Sequence, residues 1–142
     1  MDKPLFSFGI ITDTHVRAPH GDLSSPYPVN EKANARARYA TELLTAQAPD
    51  FVIHLGDMVH PLPDMAAYSD ACSEALTIFS PLPKLHFVAG NHDIGDKPMP
   101  GSPAAVVNEA ARQRYTENFG AQWYTFDPVS YTHLTLPTIC SV

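Results

Sequence analysis

Three short apolar runs, each cut off by a polar cluster, constrain this chain more than any other feature. Residues 6–11 (FSFGII) stop at Thr12-Asp13, residues 51–55 (FVIHL) at Gly56-Asp57, and residues 85–89 (LHFVA) at Gly90-Asn91-His92-Asp93. Short apolar runs rich in β-branched and aromatic residues, with no polar alternation, read as strands buried on both faces, the pattern of a parallel sheet. The segments between them have helical spacing. After Asn30, a residue suited to capping, come Ala33, Ala37, Ala40, Leu44 and Ala48 at intervals of three and four, with Arg36, Arg38 and Glu42 on other sides; Pro49-Asp50 ends the pattern. Ala67, Ala71, Ala75 and Phe79 mark a second helix closed by Pro81 and Pro83. Val107, Ala111, Tyr115 and Phe119 share one face of a third, predicted from residue 103 or 104 to 119. The β-α-β-α-β-α order implies βαβ units, an α/β class and a mainly parallel sheet.

Composition narrows the function classes. The 142 residues suit one domain, and 44% hydrophobic against 17% charged residues excludes a disordered chain. No apolar run approaches the ~20 residues of a membrane span, and no leader pattern is visible, so a cytoplasmic protein without membrane contact is expected. A net charge of −6, with only 9 scattered Lys and Arg, argues against a nucleic-acid backbone as partner. Two cysteines, Cys72 and Cys140, cannot make a disulfide scaffold, and 14 prolines imply many loops with fixed bends.

Ligands of open α/β sheets sit at the carboxyl ends of the strands. Parallel strands therefore bring Asp13-Thr14-His15, Gly56-Asp57 and Asn91-His92-Asp93 to one edge. Carboxylate, imidazole and amide oxygen suit a first-row metal, with Fe, Zn, Mn and Ni all admitted. Asp13 and His15, two residues apart, can point the same way from an extended segment. One carboxylate such as Asp57 can bridge two metals ~3.5–4 Å apart, the arrangement of two-metal phosphoester chemistry. Gly56 and Gly90 let the backbone turn tightly out of the strands. Any one cluster recurs by chance; the information lies in the order of three, each at a strand end.

Asp13-x-His15, Gly56-Asp57 and Gly90-Asn91-His92-Asp93 together resemble the calcineurin-like metallophosphoesterase family over residues 5–127. The resemblance implies an αββα sandwich of two sheets and two divalent metal ions. It implies that Asp13 and His15 bind the first metal, that Asp57 bridges both and that Asn91 binds the second. It gives His92 contact with the phosphate and the role of general acid, oriented by a carboxylate such as Asp93. The loop GNHDIGDKP is similar to small bacterial phosphohydrolases, the cyclic-nucleotide phosphodiesterase type among them, so the implied partner is a phosphoester, with nucleotides and cyclic nucleotides as candidates.

The sequence departs from the family further on. The family pattern continues with a histidine on a later strand and a Gly-His-x-His pair, whereas here the only histidine after Asp93 is His133. Residues 129–138, VSYTHLTLPT, are similar to the conceptual translation of a transposase sequencing adapter. Residues 1–128 are accordingly expected to be a truncated metallophosphoesterase domain, and 129–142 a non-native tail outside the fold. The second sheet is then expected to be missing and an apolar sheet face exposed. His54 and His86, inside strands, read as core histidines, His60 and His20 as loop residues, Cys72 as inert, and Trp123, Tyr124 and Phe126 as packing groups. Two functions stand against each other: a dimetal phosphoester hydrolase, inactive as this fragment, and a non-catalytic metal-binding or scaffold domain of the same fold. Oligomeric state is left open.

Overall fold

The computed structural model of the chain describes residues 4–20, 27–96, 106–129 and 132–136. Three parallel strands, β1 (Phe8–Ile11), β2 (Phe51–His54) and β3 (Leu85–Phe87), form one sheet in the order β1-β2-β3. Phe8 pairs with Phe51 and Val52 with Leu85. Each strand is shorter than its apolar run: β1 leaves out Phe6 and Ser7 at its start, and β2 and β3 stop before the last residues of theirs.

Three longer helices pack on one face of this sheet: α1 (Ala33–Ala46), α2 (Tyr68–Phe79) and, after the short helical turn α3 (Asn91–Ile94), α4 (Glu109–Phe119). The core between them holds Val52, Ala71, Ala75, Phe79, Tyr115 and Phe119. Ala37, Ala71 and Ala75 let helix and sheet approach closely, as the small-residue spacing predicts. Two expected boundaries move. Asn30 does not cap α1; it lies in a 3-10 turn, Pro28–Lys32, and α1 starts at Ala33 without a side-chain cap. The third long helix starts at Glu109, because Asn108 accepts a bond from the Ala111 N–H at 2.9 Å and so fixes the N-terminus. Upstream, Val106 forms a β-bridge with Asp96, and residues 103–105 lie outside the described residues.

The opposite sheet face corrects a second expectation. A two-stranded antiparallel sheet, β4 (Tyr124–Val129) and β5 (Thr132–Leu136), is present. Tyr124 and Phe126 pack with Phe6 against Phe51, Ile53 and Val88. Phe126 stacks on His86 with centroids 3.5 Å apart, and the Tyr124 hydroxyl lies 3.0 Å from His86 Nδ1 while accepting from the Phe87 N–H at 3.2 Å. A second layer therefore covers β2 and β3. Among the described strand residues, β1 keeps an exposed apolar face through Phe8 and Ile10, each about half exposed. Trp123 does not pack; it is 72% exposed. Residues 132–136, expected to lie outside the fold, pair with β4. No helix among the described residues is long and apolar enough to cross a membrane.

Candidate metal centre

Beyond their formal ends, β1 and β2 continue side by side. Leu55 N–H bonds Ile11 C=O, Asp13 N–H bonds Gly56 C=O, His15 N–H bonds Asp57 C=O, Val16 N–H bonds Met58 C=O and His60 N–H bonds Val16 C=O, all at 2.9–3.1 Å. This ladder is not regular strand. Asp13, His15 and Asp57 have φ of 54°, 44° and 54°. L-residues adopt that left-handed region at a cost, and such strain concentrates at functional sites. Among the described residues, three of the five non-glycine residues with positive φ are thus residues the family resemblance assigns to metal.

Asp57 is the centre of the arrangement. Its Oδ1 accepts from the His92 N–H at 2.9 Å, and its Oδ2 lies 3.8 Å from His15 Nε2. Asp13 Oδ1 is 4.0 Å from the same nitrogen, and Asp13 Oδ2 accepts from the Thr12 hydroxyl at 2.6 Å. The ligand atoms of Asp13, His15 and Asp57 all lie within 4.8 Å of one another. The 3.8 and 4.0 Å separations are too long for hydrogen bonds. They match instead the gap spanned by a cation bonded to each atom at ~2.0–2.2 Å. Burial, then the neighbouring His92, hold the His15 imidazole below its ordinary pKa, against the opposite pull of Asp57 and Asp13. A neutral imidazole beside two carboxylates is the donor set a divalent metal requires, so these residues fit one.

The cleft in front of them has a volume of ≈ 400 Å³ and is lined by Asp13, Gly56, Asp57, Gly90, Asn91 and Asp96 among others. Asn91 thus faces the same space. Gly90 is needed there for room and not for its turn: its backbone is extended, at φ −97° and ψ −176°, and a Cβ on it would collide with the Asp57 carboxylate and sit 2.5 Å from the Asp57 nitrogen.

Asp93 does not orient His92. It is fully buried, and its two oxygens accept from the backbone N–H groups of Gly90 and Asp57, each at 2.7 Å, and of Met58 at 3.1 Å. It ties the end of β3 to the end of β2. Burial raises its pKa to about 7 while those donors pull the other way. The task foreseen for it falls to the His60 carbonyl, which lies 2.9 Å from His92 Nδ1. A carbonyl can only accept, so Nδ1 carries the proton.

His60 corrects its reading as a loop residue. Its ring nitrogen lies within 4.8 Å of ring nitrogens of His15 and His92. The signal in the sequence is its position three residues after Asp57, a position to which the family resemblance gives no role. His54 and His86 behave as core histidines. His54 has no exposed surface; the Gly56 N–H donates to its Nδ1 at 3.2 Å and its Nε2 lies 2.9 Å from the Thr14 hydroxyl. Cys72 is buried and free, its thiol pushed up to about 12, which makes it inert.

No curated protein matches the chain. Sixteen chains of solved structures do. One is the crystal structure of a dimetal phosphatase from Danio rerio, 22% identical, with a TM-score of 0.44, over 63% of this chain and 30% of that one. The present chain therefore spans less than a third of that protein's length. A family model described as calcineurin-like phosphoesterase matches residues 6–137, nearly the whole length, with all three strand-end clusters inside it. The chain belongs to the calcineurin-like phosphoesterase family.

Proposed function

We propose that this chain carries a metal-dependent site for phosphoester hydrolysis, built on Asp13, His15, Asp57 and Asn91, with His92 as the acid for the leaving oxygen. The observation that carries this reading is the convergence of Asp13, His15 and Asp57 within 4.8 Å at the ends of adjacent parallel strands. Two divalent ions, from among Fe, Zn, Mn and Ni, would supply Lewis-acid polarisation of the phosphoryl group and a hydroxide nucleophile at neutral pH. Asp13, His15 and Asp57 would hold one ion, and Asp57 and Asn91 the other. His92, fixed through Nδ1–H on the His60 carbonyl, would present a protonated Nε2 to the departing oxygen. The substrate is a phosphomonoester or phosphodiester, with nucleotides and cyclic nucleotides favoured by the likeness of the GNHD loop, and the setting is the cytoplasm.

The donor count sets the expected strength. Three contacts to one ion and two to the other hold metals loosely, and misplacement near 1 Å costs ~100-fold in rate. Turnover of an aryl phosphodiester by this chain with added Mn²⁺ is therefore expected to be slow. Asp57→Ala should lower Mn²⁺ affinity by about tenfold or more, since it removes the shared ligand. Titration of both proteins with Mn²⁺ checks this, and equal affinity would remove Asp57 from the site.

We also propose that residues 129–142 are an adapter-derived tail. The resemblance of residues 129–138 to a translated adapter supports this. Deletion of 129–142 is expected to move the thermal midpoint by less than about 4 °C, the equivalent of ~1 kcal/mol. A larger fall would make the segment a native strand.

A further inference from the structure

We propose that His15, His60 and His92 form a second, tri-imidazole metal site that takes Zn²⁺ or a similar imidazole-preferring ion in competition with the Asp13, His15 and Asp57 group. The ring nitrogens of the three histidines lie within 4.8 Å of one another. The ring centroids are 4.7 Å apart for His15 and His92, 5.7 Å for His60 and His92, and 6.1 Å for His15 and His60. Three imidazoles on one tetrahedral zinc, with Zn–N bonds of ~2.0–2.1 Å, place their ring centres ~5 Å apart. The His15–His92 side is already at that spacing, and the two sides to His60 must close by about 1 Å.

The backbone behind the rings is already tied together. His15 N–H bonds the Asp57 carbonyl at 3.0 Å, His60 N–H bonds Val16 C=O at 2.9 Å, and His92 N–H bonds Asp57 Oδ1 at 2.9 Å. His92 donates its Nδ1–H to the His60 carbonyl, which leaves the lone pair of the neutral ring on Nε2. Such a bond from the far nitrogen is the support that metal-ligating histidines use. His15 Nδ1 is buried and has no hydrogen-bond partner among the described residues.

The two groups differ in chemistry and share one residue. Three nitrogen donors favour Zn²⁺, Co²⁺, Ni²⁺ or Cu²⁺, while the carboxylate-rich group also suits Mn²⁺. A neutral imidazole has one lone pair, so His15 serves one ion at a time. An ion in the tri-imidazole site withdraws His15 from Asp13 and Asp57 and engages His92. If the hydrolytic reading above holds, the second site is inhibitory, and excess zinc closes the first; the site itself does not depend on that reading.

The test is metal binding by the full 142-residue chain, measured by competition with a chromophoric chelator, with Zn²⁺ and Mn²⁺ as probes. His60→Ala is expected to lower Zn²⁺ affinity by about tenfold or more and to leave Mn²⁺ affinity within about twofold, as loss of a ligand to one site only requires. Asp13→Ala is expected to lower Mn²⁺ affinity and spare Zn²⁺. Equal Zn²⁺ affinity in the wild type and a folded His60→Ala overturns the proposal. If His60→Ala does not fold, imidazole ¹⁵N NMR of the wild type decides: shifts of His15, His60 and His92 together on Zn²⁺ addition support the site, and a His60 signal that stays put while His15 moves overturns it. Mn²⁺ binding that ignores Asp13→Ala counts against the hydrolytic reading instead, so the two failures are separate.

Discussion

Gly56→Ala is expected to destabilise the chain by about 4 kcal/mol, the sum of two costs of ~1–3 kcal/mol each. The first is conformational: Gly56 has φ +106°, outside the regions open to an L-residue. The second is steric. A Cβ at Gly56 would sit 2.6 Å from the Gly90 nitrogen and 2.7 Å from the Gly90 Cα, both backbone atoms, so no rotamer change can relieve the collision. Relief requires the end of β2 to part from the end of β3, and that movement carries Asp57 away from His15 and breaks the bonds of Asp93 to Gly90, Asp57 and Met58. Gly120→Ala provides the control. Gly120 has φ +89°, and a Cβ there would meet nothing within 4 Å, so it bears the conformational cost alone, about 1 kcal/mol. Urea unfolding of both variants gives the comparison. A Gly56→Ala loss no larger than that of Gly120→Ala would show that the strand ends are free to separate.

The residues that the sequence made legible are those whose role is local. Ile11, Val52 and Ile53 sit in short apolar runs rich in β-branched residues that suit a strand, and the alanines at spacings of three and four mark the helix faces that meet them. Asp13, His15 and Asp57 were legible because a parallel sheet must deliver its strand ends to one edge, which is a statement about topology and not about side chains. What escaped depends on contacts between segments distant in sequence. Asn30 has a capping side chain, but the preceding Pro28 favours a 3-10 turn that carries Asn30 inside it. Asp93 reads like a partner for its neighbour His92, whereas the approach of two strand ends aims three backbone N–H groups at it. His60 reads like a loop residue until the ladder between Val16 and Met58 draws it beside His15. Tyr124 and Phe126 read like remnants of a missing layer, yet β3 offers Tyr124 the His86 ring and the Phe87 N–H across 38 and 37 residues of sequence, and offers Phe126 the face of His86.

His54 makes the same region sensitive to acid. It is fully buried at the end of β2, three residues before Asp57, and burial lowers its pKa from 6.5 to about 3. The Gly56 N–H donates to Nδ1, so in the neutral ring Nε2 carries the proton and donates to the Thr14 hydroxyl, which in turn donates to the Met58 carbonyl at 3.0 Å. A second proton on this ring would meet the Gly56 N–H head on. The native state therefore refuses a proton that the unfolded chain accepts below pH 6.5. Stability from His54 is complete above 6.5 and falls as the pH drops, by about 1.4 kcal/mol per pH unit, until the native group itself titrates near 3. Asp93 acts with the opposite sign: its folded pKa of about 7 lies above its ordinary 3.8, so its contribution falls as pH rises between those values. The raw pH profile of the wild type mixes the two, and a variant at His54 separates them. His54→Gln keeps an acceptor for Gly56 and a donor for Thr14 but cannot titrate. Urea unfolding of the metal-free proteins should show the wild type more stable than His54→Gln at about pH 6.5, with the difference shrinking by about 2 kcal/mol at about pH 4.5. A difference that stays constant within about half a kcal/mol over that range would mean that the native ring takes up its proton as readily as the unfolded one, and that the Thr14 and Gly56 contacts do not lock it in the neutral form.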